Sequence, residues 1–196
     1  MLIGFFNESL YLYHMNSLNA IGPNWTLFLD RDGVINHEKS GDYIRNVEEF
    51  QLYEGVLDAF RLLANRFQKI IVVTNQRGIG KGLMRAEDVE QIHSVLQQKV
   101  NQIGGSIHAF FYAPDLETDA PNRKPNIGMG LQAKKAFPSI DFSKSIMIGN
   151  NISDMQFGRN LGMQTIFLHT TNPEQGPHPS IDYFYPTLLD FAKSIF

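Results

Sequence analysis

The fold of this chain is decided by the stretch Trp25-Thr26-Leu27-Phe28-Leu29-Asp30-Arg31-Asp32-Gly33. Its first five residues form an apolar run that predicts a buried strand, and two carboxylates follow it directly. Because residues i and i+2 of an extended chain point the same way, Asp30 and Asp32 can face one pocket. Open α/β sheets bind ligands at the carboxyl ends of their strands, so we expect a site at this edge. The alternative is a solvated Asp-Gly turn.

Apolar runs of strand length alternate with helical patterns along the rest of the chain. The predicted strands are Trp25–Leu29, Ile70–Thr74, Ile107–Tyr112, Ser145–Ile148, Thr165–Leu168 and a short Ile181–Tyr185. The predicted helices are Gly55–Phe67, Ala86–Ile103, Gly128–Phe137, Ser153–Leu161 and one at the C-terminus. This alternation predicts an α/β fold with a doubly wound, mainly parallel sheet. We expect one domain over residues 25–196, preceded by an N-terminal extension, residues 1–24.

Composition restricts the classes of function. The net charge is −3 and the chain has no basic block, which disfavours an obligate nucleic-acid partner. The chain has no cysteine, so disulfides and thiolate metal sites are excluded. The apolar run at residues 1–15 is too short to span a bilayer and lacks the layout of a signal peptide. We expect a cytoplasmic protein with no membrane partner.

The end of the second predicted strand also carries polar side chains. Thr74-Asn75-Gln76 offers a hydroxyl and an amide that can hydrogen-bond phosphoryl oxygens. The segment Arg77–Gly82 follows, and its glycines can let backbone N–H groups approach a ligand. An ordinary flexible loop is the alternative, and the spacing is not that of a Walker A P-loop.

Two further strands are followed by charged or amide side chains. Arg123-Lys124-Pro125 follows the third strand, where Lys124 could neutralise a phosphate and the carboxylates, or could simply be solvated. Asn150 and Asp154 follow the fourth strand. Their oxygens could hold Mg²⁺ together with Asp30, or they could cap the next helix.

This ordered set at four strand ends resembles the haloacid dehalogenase superfamily of phosphotransferases, from roughly residue 25 to residue 168. It looks most like the group of histidinol-phosphate phosphatases and D-glycero-D-manno-heptose-1,7-bisphosphate phosphatases. The segments that carry the resemblance are Asp-Arg-Asp-Gly-Val-Ile-Asn (30–36), Thr-Asn-Gln-Arg-Gly-Ile-Gly-Lys-Gly (74–82), Arg-Lys-Pro (123–125) and Gly-Asn-Asn-Ile-Ser-Asp-Met (149–155).

The resemblance implies catalytic roles for four residues. Asp30 would attack phosphorus and form an aspartyl-phosphate. Asp32 would protonate the leaving oxygen and then deprotonate the attacking water. Thr74 and Lys124 would hold the transferring phosphoryl group, whose charge is spread over its oxygens.

The resemblance also implies binding roles. Asn75 would orient the substrate, and Arg123 would bind its distal part. Mg²⁺ would be the cofactor, held by Asp30, the backbone carbonyl of Asp32 and Asn150, with Asp154 supporting the site from behind these ligands.

Two departures from the family pattern matter. The family usually has Asp where this chain has Asn150, which offers a carbonyl oxygen but no negative charge, so we expect metal binding to persist but weaken. Many members of the bisphosphatase group have a Cys/His zinc site in the loop that corresponds to Ala113–Asn122. This loop has neither residue type, so a structural zinc site is not predicted.

The sequence therefore predicts a Mg²⁺-dependent phosphomonoesterase with a minimal cap, whose partner is a small phosphorylated metabolite. A heptose bisphosphate is the first choice of substrate and histidinol phosphate the second. The segments Asn36–Tyr53 and Ala113–Asn122 are the expected pocket walls, and the protein is expected to be a monomer or a small homo-oligomer. A catalytically impaired phosphoryl-ligand binder and a nucleic-acid 3′-phosphatase are the alternatives.

Overall fold

The computed structural model describes residues 21–196, so most of the predicted extension lies outside the described residues. Within them, six strands form a single sheet in the order β3-β2-β1-β4-β5-β6. All five strand pairs are parallel. The strands are β1 Thr26–Leu29, β2 Lys69–Asn75, β3 Ala109–Ala113, β4 Ser145–Gly149, β5 Gln164–Leu168 and β6 Tyr183–Tyr185. The predicted parallel α/β fold is confirmed.

Helices connect these strands and cover both faces of the sheet. They are α1 Val56–Leu63, α2 Arg77–Gly80, α3 Ala86–Gln102, α4 Gly128–Ala136, α5 Ile152–Asn160 and α6 Leu188–Ser194, with a short 3₁₀ helix at Phe142–Lys144. None of the helices in residues 21–196 has the length and apolar character needed to cross a membrane.

The core has two halves, one on each face of the sheet. Strand β1 shows why, since Leu27 and Leu29 point into one half and Phe28 into the other. Helices α1, α3 and α6 bury their apolar faces in the first half, and α4 and α5 bury theirs in the second. Because β1 is covered on both faces, all four of its residues are buried, and three of them are apolar.

The register of the central strands sets the position of the polar residues that follow them. Leu29, the last residue of β1, lies beside Val72 of β2 and Ile148 of β4. Residues just beyond these positions therefore meet at the carboxyl edge of the sheet.

The glycine-containing segment after β2 follows neither of the two expectations, since it is not a flexible loop and does not line the cavity described below. Residues Arg77–Gly80 form a short helix. A side chain at Gly78 would meet Met84 and Tyr43, and one at Gly80 would meet the backbone of Pro114. These glycines are explained by close packing, and no residue of the segment lines the cavity described below.

Candidate active site

The centre of the site is the ammonium group of Lys124, which is almost completely buried. Its Nζ lies 2.8 Å from Oδ1 of Asp30 and 2.6 Å from Oδ1 of Asp154, and it donates to the carbonyl oxygen of Val73 at 2.8 Å. The structure thus brings together three residues from distant parts of the chain, namely Asp30 after β1, Lys124, and Asp154 in the first turn of α5. A buried ammonium with this many partners is held in one place.

Asn75 at the end of β2 holds the backbone of Lys124. Its Oδ1 accepts from the Lys124 N–H at 3.0 Å, and its Nδ2 donates to the Lys124 carbonyl oxygen at 3.1 Å. These two bonds fix the backbone from which the Lys124 side chain extends. Asn75 also lines the cavity. This position is consistent with the role that the resemblance implies, which is to orient the substrate.

Asp154 is positioned by the start of helix α5. Its Oδ2 accepts from the backbone N–H of Asn151 at 3.1 Å, and Asn151 in turn accepts from the N–H of Ser153 at 3.1 Å. This is a capping box, which fixes the first turn of the helix. The capping alternative for Asp154 is therefore confirmed, and its other oxygen binds Lys124.

Asp32 presents part of its carboxylate to the cavity and the rest to hydrogen-bond donors, with 24% of its side chain exposed. Asn36 donates to its Oδ1 at 2.8 Å, and Gln76 donates to its Oδ2 at 2.8 Å. The same Gln76 amide also donates to Oγ1 of Thr74 at 2.9 Å. Because the Thr74 oxygen accepts this bond, its own hydroxyl hydrogen remains available for a ligand.

Asn150 lies against the turn that follows the two carboxylates. Gly33 has φ +85°, and a side chain there would collide with the Asn150 amide. The Asn150 Nδ2 donates to Oγ1 of Thr171 at 2.7 Å and to Oε2 of Glu38 at 3.3 Å. Because the side-chain nitrogen of Asn150 makes these two bonds, its side-chain oxygen points away from Thr171 and Glu38.

These residues surround a cavity of about 210 Å³ at the carboxyl edge of the sheet. The predicted wall formed by residues 36–53 contributes five lining side chains, Glu38, Lys39, Asp42, Tyr43 and Ile44, whereas residues 113–122 contribute none. Among residues 21–196, five carboxylates and two ammonium groups line the cavity. An anionic ligand therefore needs a cation to accompany it.

Comparisons with known proteins place the chain among phosphatases. A family model described as polynucleotide kinase 3 phosphatase matches residues 26–182. A D-glycero-alpha-D-manno-heptose-1,7-bisphosphate 7-phosphatase of Mycobacterium bovis is 39% identical over 141 residues, which cover 71% of this chain and 74% of the relative. A D-glycero-beta-D-manno-heptose-1,7-bisphosphate 7-phosphatase of Helicobacter pylori is 33% identical over 178 residues, which cover 88% of this chain and 100% of the relative. The chain therefore belongs to the matched family, and the two heptose bisphosphate phosphatases identify its group within that family. It is a phosphatase of the haloacid dehalogenase superfamily, in the heptose bisphosphate group.

A solved structure gives the same fold. The D,D-heptose 1,7-bisphosphate phosphatase from B. bronchiseptica, complexed with magnesium and phosphate, matches with a TM-score of 0.78 at 23% identity. The match covers 87% of this phosphatase and 97% of that chain. At this identity the likeness supports the fold, and the site of this phosphatase is argued from its own residues.

Burial and charge perturb the two central groups of the phosphatase. Desolvation raises the pKa of Asp30 to about 7, against the opposing effect of the Lys124 charge and with a further rise from Asp154. For Lys124, burial acts to lower the pKa, but the charges of Asp154 and Asp30 outweigh it and raise the pKa. Lys124 is therefore charged at neutral pH.

Arg123 lies next to Lys124 but outside the set of residues that line the cavity of the phosphatase. Its guanidinium donates to the carbonyl oxygen of Leu116. The structure thus separates the two members of the basic pair, with Lys124 inside the site and Arg123 bound to the neighbouring loop.

Sequence reasoning missed three residues of this phosphatase site. Gln76 follows the predicted Thr-Asn pair and bonds Thr74 and Asp32, and Glu38 lines the cavity beside Asn150. The third is Arg31, which lies between the two carboxylates in sequence and is fully buried. Nothing in the local sequence indicates that Arg31 is buried, because a charged residue is expected at the surface.

Proposed function

We propose that this phosphatase removes the 7-phosphate from a D-glycero-D-manno-heptose 1,7-bisphosphate in a Mg²⁺-dependent reaction. The observation that carries the proposal is the convergence of Asp30, Lys124 and Asp154 in the cavity that Asp32 and Thr74 also line. The names of the relatives supply the substrate class, because both the Mycobacterium bovis and the Helicobacter pylori proteins are heptose bisphosphate 7-phosphatases.

In the proposed reaction, Asp30 attacks the phosphorus atom and forms an aspartyl-phosphate. The Lys124 ammonium, 2.8 Å from Asp30, favours the ionised form that this attack requires. Lys124 and the Thr74 hydroxyl hold the oxygens of the transferring phosphoryl group, and such fixed donors supply much of the stabilisation in phosphoryl transfer.

Asp32 moves the proton in both halves of the reaction. It protonates the sugar oxygen as the bond between that oxygen and the phosphorus atom breaks. It then takes a proton from the water that hydrolyses the aspartyl-phosphate. Its partial exposure to the cavity allows this contact, whereas Asn36 and Gln76 hold the rest of the carboxylate.

The donor chemistry of the site fits Mg²⁺. The proposed ligands are the Asp30 carboxylate, the Asp32 backbone carbonyl and the Asn150 side-chain oxygen, and hard cations prefer such oxygen ligands. Within residues 21–196 no group of three or more His, Cys, Asp or Glu side chains has metal-binding geometry, so neutral carbonyl oxygens have to complete the set. A bound Mg²⁺ would offset the acidic lining and the charge on the substrate phosphate. The B. bronchiseptica structure, complexed with magnesium and phosphate, is consistent with this cofactor.

The same lining argues against a nucleic-acid 3′-phosphatase, although the matched family is described as polynucleotide kinase 3 phosphatase. Polynucleotide binding normally requires a basic surface along the phosphate backbone. Here the cavity is lined by five carboxylates and two ammonium groups. A small phosphorylated metabolite is the better match.

The proposal is tested by measuring released phosphate from a panel of compounds with and without Mg²⁺. The panel holds both anomers of heptose 1,7-bisphosphate, histidinol phosphate, p-nitrophenyl phosphate and a 3′-phosphorylated oligonucleotide. We expect the heptose bisphosphates to be preferred, with the 1-phosphate retained in the product as seen by phosphorus NMR. Asp30→Asn is the control and should abolish turnover. Preference for histidinol phosphate or for the oligonucleotide, or loss of the 1-phosphate instead, would overturn the proposed substrate assignment.

A further inference from the structure

Arg31 is the largest fully buried side chain among the described residues, although it is always charged. It stands between the two carboxylates in sequence and does not line the cavity. Burying an unpaired guanidinium is strongly unfavourable, so the groups that pair with Arg31 indicate its role.

The guanidinium of Arg31 binds Asp32 with two of its nitrogens. Nε donates to Oδ1 of Asp32 at 3.2 Å, and Nη2 donates to Oδ1 and Oδ2 at 3.1 and 3.0 Å. Within residues 21–196, Asp32 is the one carboxylate that forms an ion pair with Arg31. The planar fork of an arginine fixes both the position and the rotation of a carboxylate, which a lysine cannot do.

The far side of Arg31 is fixed as well. Its Nη1 lies 3.4 Å from Nε2 of His93, and the His93 ring stacks on Phe110 with 4.4 Å between the ring centroids. Desolvation and the charge of Arg31 lower the pKa of His93 to about 3, so this imidazole is neutral and can accept from the guanidinium. The Phe50 ring lies 6.0 Å from the guanidinium carbon. The guanidinium is therefore held on both sides.

We infer that Arg31 is a positioning residue, which sets the orientation in which Asp32 presents its carboxylate to the leaving group. This inference rests on the proposed function, since it concerns how Asp32 transfers a proton to the substrate. Arg31 does not line the cavity, and among the proposed catalytic residues in the described part of the chain its side chain hydrogen-bonds the Asp32 carboxylate alone, so we expect its effect on the reaction to pass through that carboxylate. Proton transfer requires the acid to lie within hydrogen-bond reach of the leaving oxygen, and a misplacement of about 1 Å can cost about 10²-fold in rate.

The test compares two substrates that differ in their need for a proton. The sugar oxygen of an alkyl phosphate leaves only when it is protonated, whereas p-nitrophenolate leaves without a proton at neutral pH. The parameter is kcat/KM, because it reports the steps up to departure of the leaving group and excludes the later hydrolysis of the aspartyl-phosphate. The alkyl phosphate is the best substrate of the panel described above.

For Arg31→Met, kcat/KM on the alkyl phosphate should fall by about 10²-fold, and kcat/KM on p-nitrophenyl phosphate by less than about threefold. Arg31→Lys keeps the charge without the fork and should recover part of the loss. In an Asp32→Asn background, Arg31→Met should have little further effect, because two residues that act through one group are not additive. Arg159→Met, which breaks an exposed ion pair with Asp182, is the matched control and should leave both substrates unchanged.

Each other outcome contradicts a distinct statement. Equal losses on both substrates, or no loss on either, would show that Arg31 has only a structural role and would overturn this inference alone. A wild-type protein that hydrolyses no phosphate monoester would overturn the proposed function, and this inference with it. If circular dichroism shows that Arg31→Met does not fold, Arg31→Lys carries the same substrate comparison, and equal losses in it are then decisive against the inference.

Discussion

Substitution of Asn75 by Ala tests how this side chain serves the site. Both amide atoms of Asn75 bond the backbone of Lys124, at 3.0 and 3.1 Å. Each bond contributes about 1 kcal/mol net, so Asn75→Ala should lower the free energy of unfolding by about 2 kcal/mol. For a domain of this size such a loss corresponds to a decrease in Tm of roughly 4–8 °C.

The activity of the same variant separates a role on Lys124 from a role on the substrate. The Lys124 ammonium is proposed to act on the phosphoryl group, which every substrate shares. If Asn75 works by holding Lys124, Asn75→Ala should lower kcat/KM by the same factor, about 10-fold to 10²-fold, for a heptose bisphosphate and for p-nitrophenyl phosphate. A contact between Asn75 and the sugar would spare p-nitrophenyl phosphate instead.

The assay combines thermal unfolding with steady-state kinetics on the two substrates. Asn160→Ala is the matched control, because its amide makes one hydrogen bond, 3.3 Å from Nδ2 to the carbonyl oxygen of Pro125, next to Lys124 in sequence. As an exposed residue, it should change stability by no more than about 0.5 kcal/mol. A Tm for Asn75→Ala within about 1 °C of wild type, with a loss confined to the sugar substrate, would refute the reasoning.

Three further predictions concern the metal and the packing of the site. Asn150→Asp should bind Mg²⁺ more tightly in a calorimetric titration, yet its metal-free form should be less stable by about 1 kcal/mol, since a carboxylate replaces the amide that donates to Glu38; equal metal affinity in both proteins would contradict this. Because burial raises the pKa of Asp30 to about 7, protons should compete with Mg²⁺ below that pH. The Mg²⁺ affinity should decrease about tenfold for each unit by which the pH is lowered below 7, and it should be constant above about pH 8. An affinity that does not change with pH would exclude Asp30 as the competing group. Gly149→Ala should reduce kcat severely, because its new methyl group would collide with Asp154 and displace the partner of Lys124; a crystal structure of the variant with Asp154 unmoved would show this reason to be wrong.

The fold was predictable because its signals are local. Apolar runs and helical spacing located the six strands and the five longer helices, with strand ends within about two residues of those observed. Helix α2 was missed because four residues with two glycines carry no periodic pattern, and their conformation depends on packing against Met84 and Pro114. Such tertiary contacts cannot be read from a single segment.

The site was predictable as far as strand order determines it. Asp30, Lys124 and Asp154 meet because parallel strands deliver the residues that follow them to the same edge of the sheet. The resemblance assigns Lys124 to the phosphoryl group, but the sequence could not show that Asn75 holds the Lys124 backbone through two hydrogen bonds. It also could not show that Arg31 is buried, since a charged residue is expected at the surface until its partners are known.

The end of β2 links the two halves of the proposed chemistry. Three consecutive residues serve three different groups: Thr74 is proposed to offer its hydroxyl to the phosphoryl group, Asn75 holds the backbone of Lys124, and Gln76 bonds Asp32. Side chains of an extended segment alternate in direction, so neighbours can reach opposite parts of one site. If this division holds, changes at Asn75 affect all phosphate esters alike, because they act on the phosphoryl side. Changes at Arg31 depend on the leaving group, because they act on the proton side. The two variants together therefore test whether one strand end acts on the phosphoryl group while one buried arginine acts on proton transfer to the leaving group.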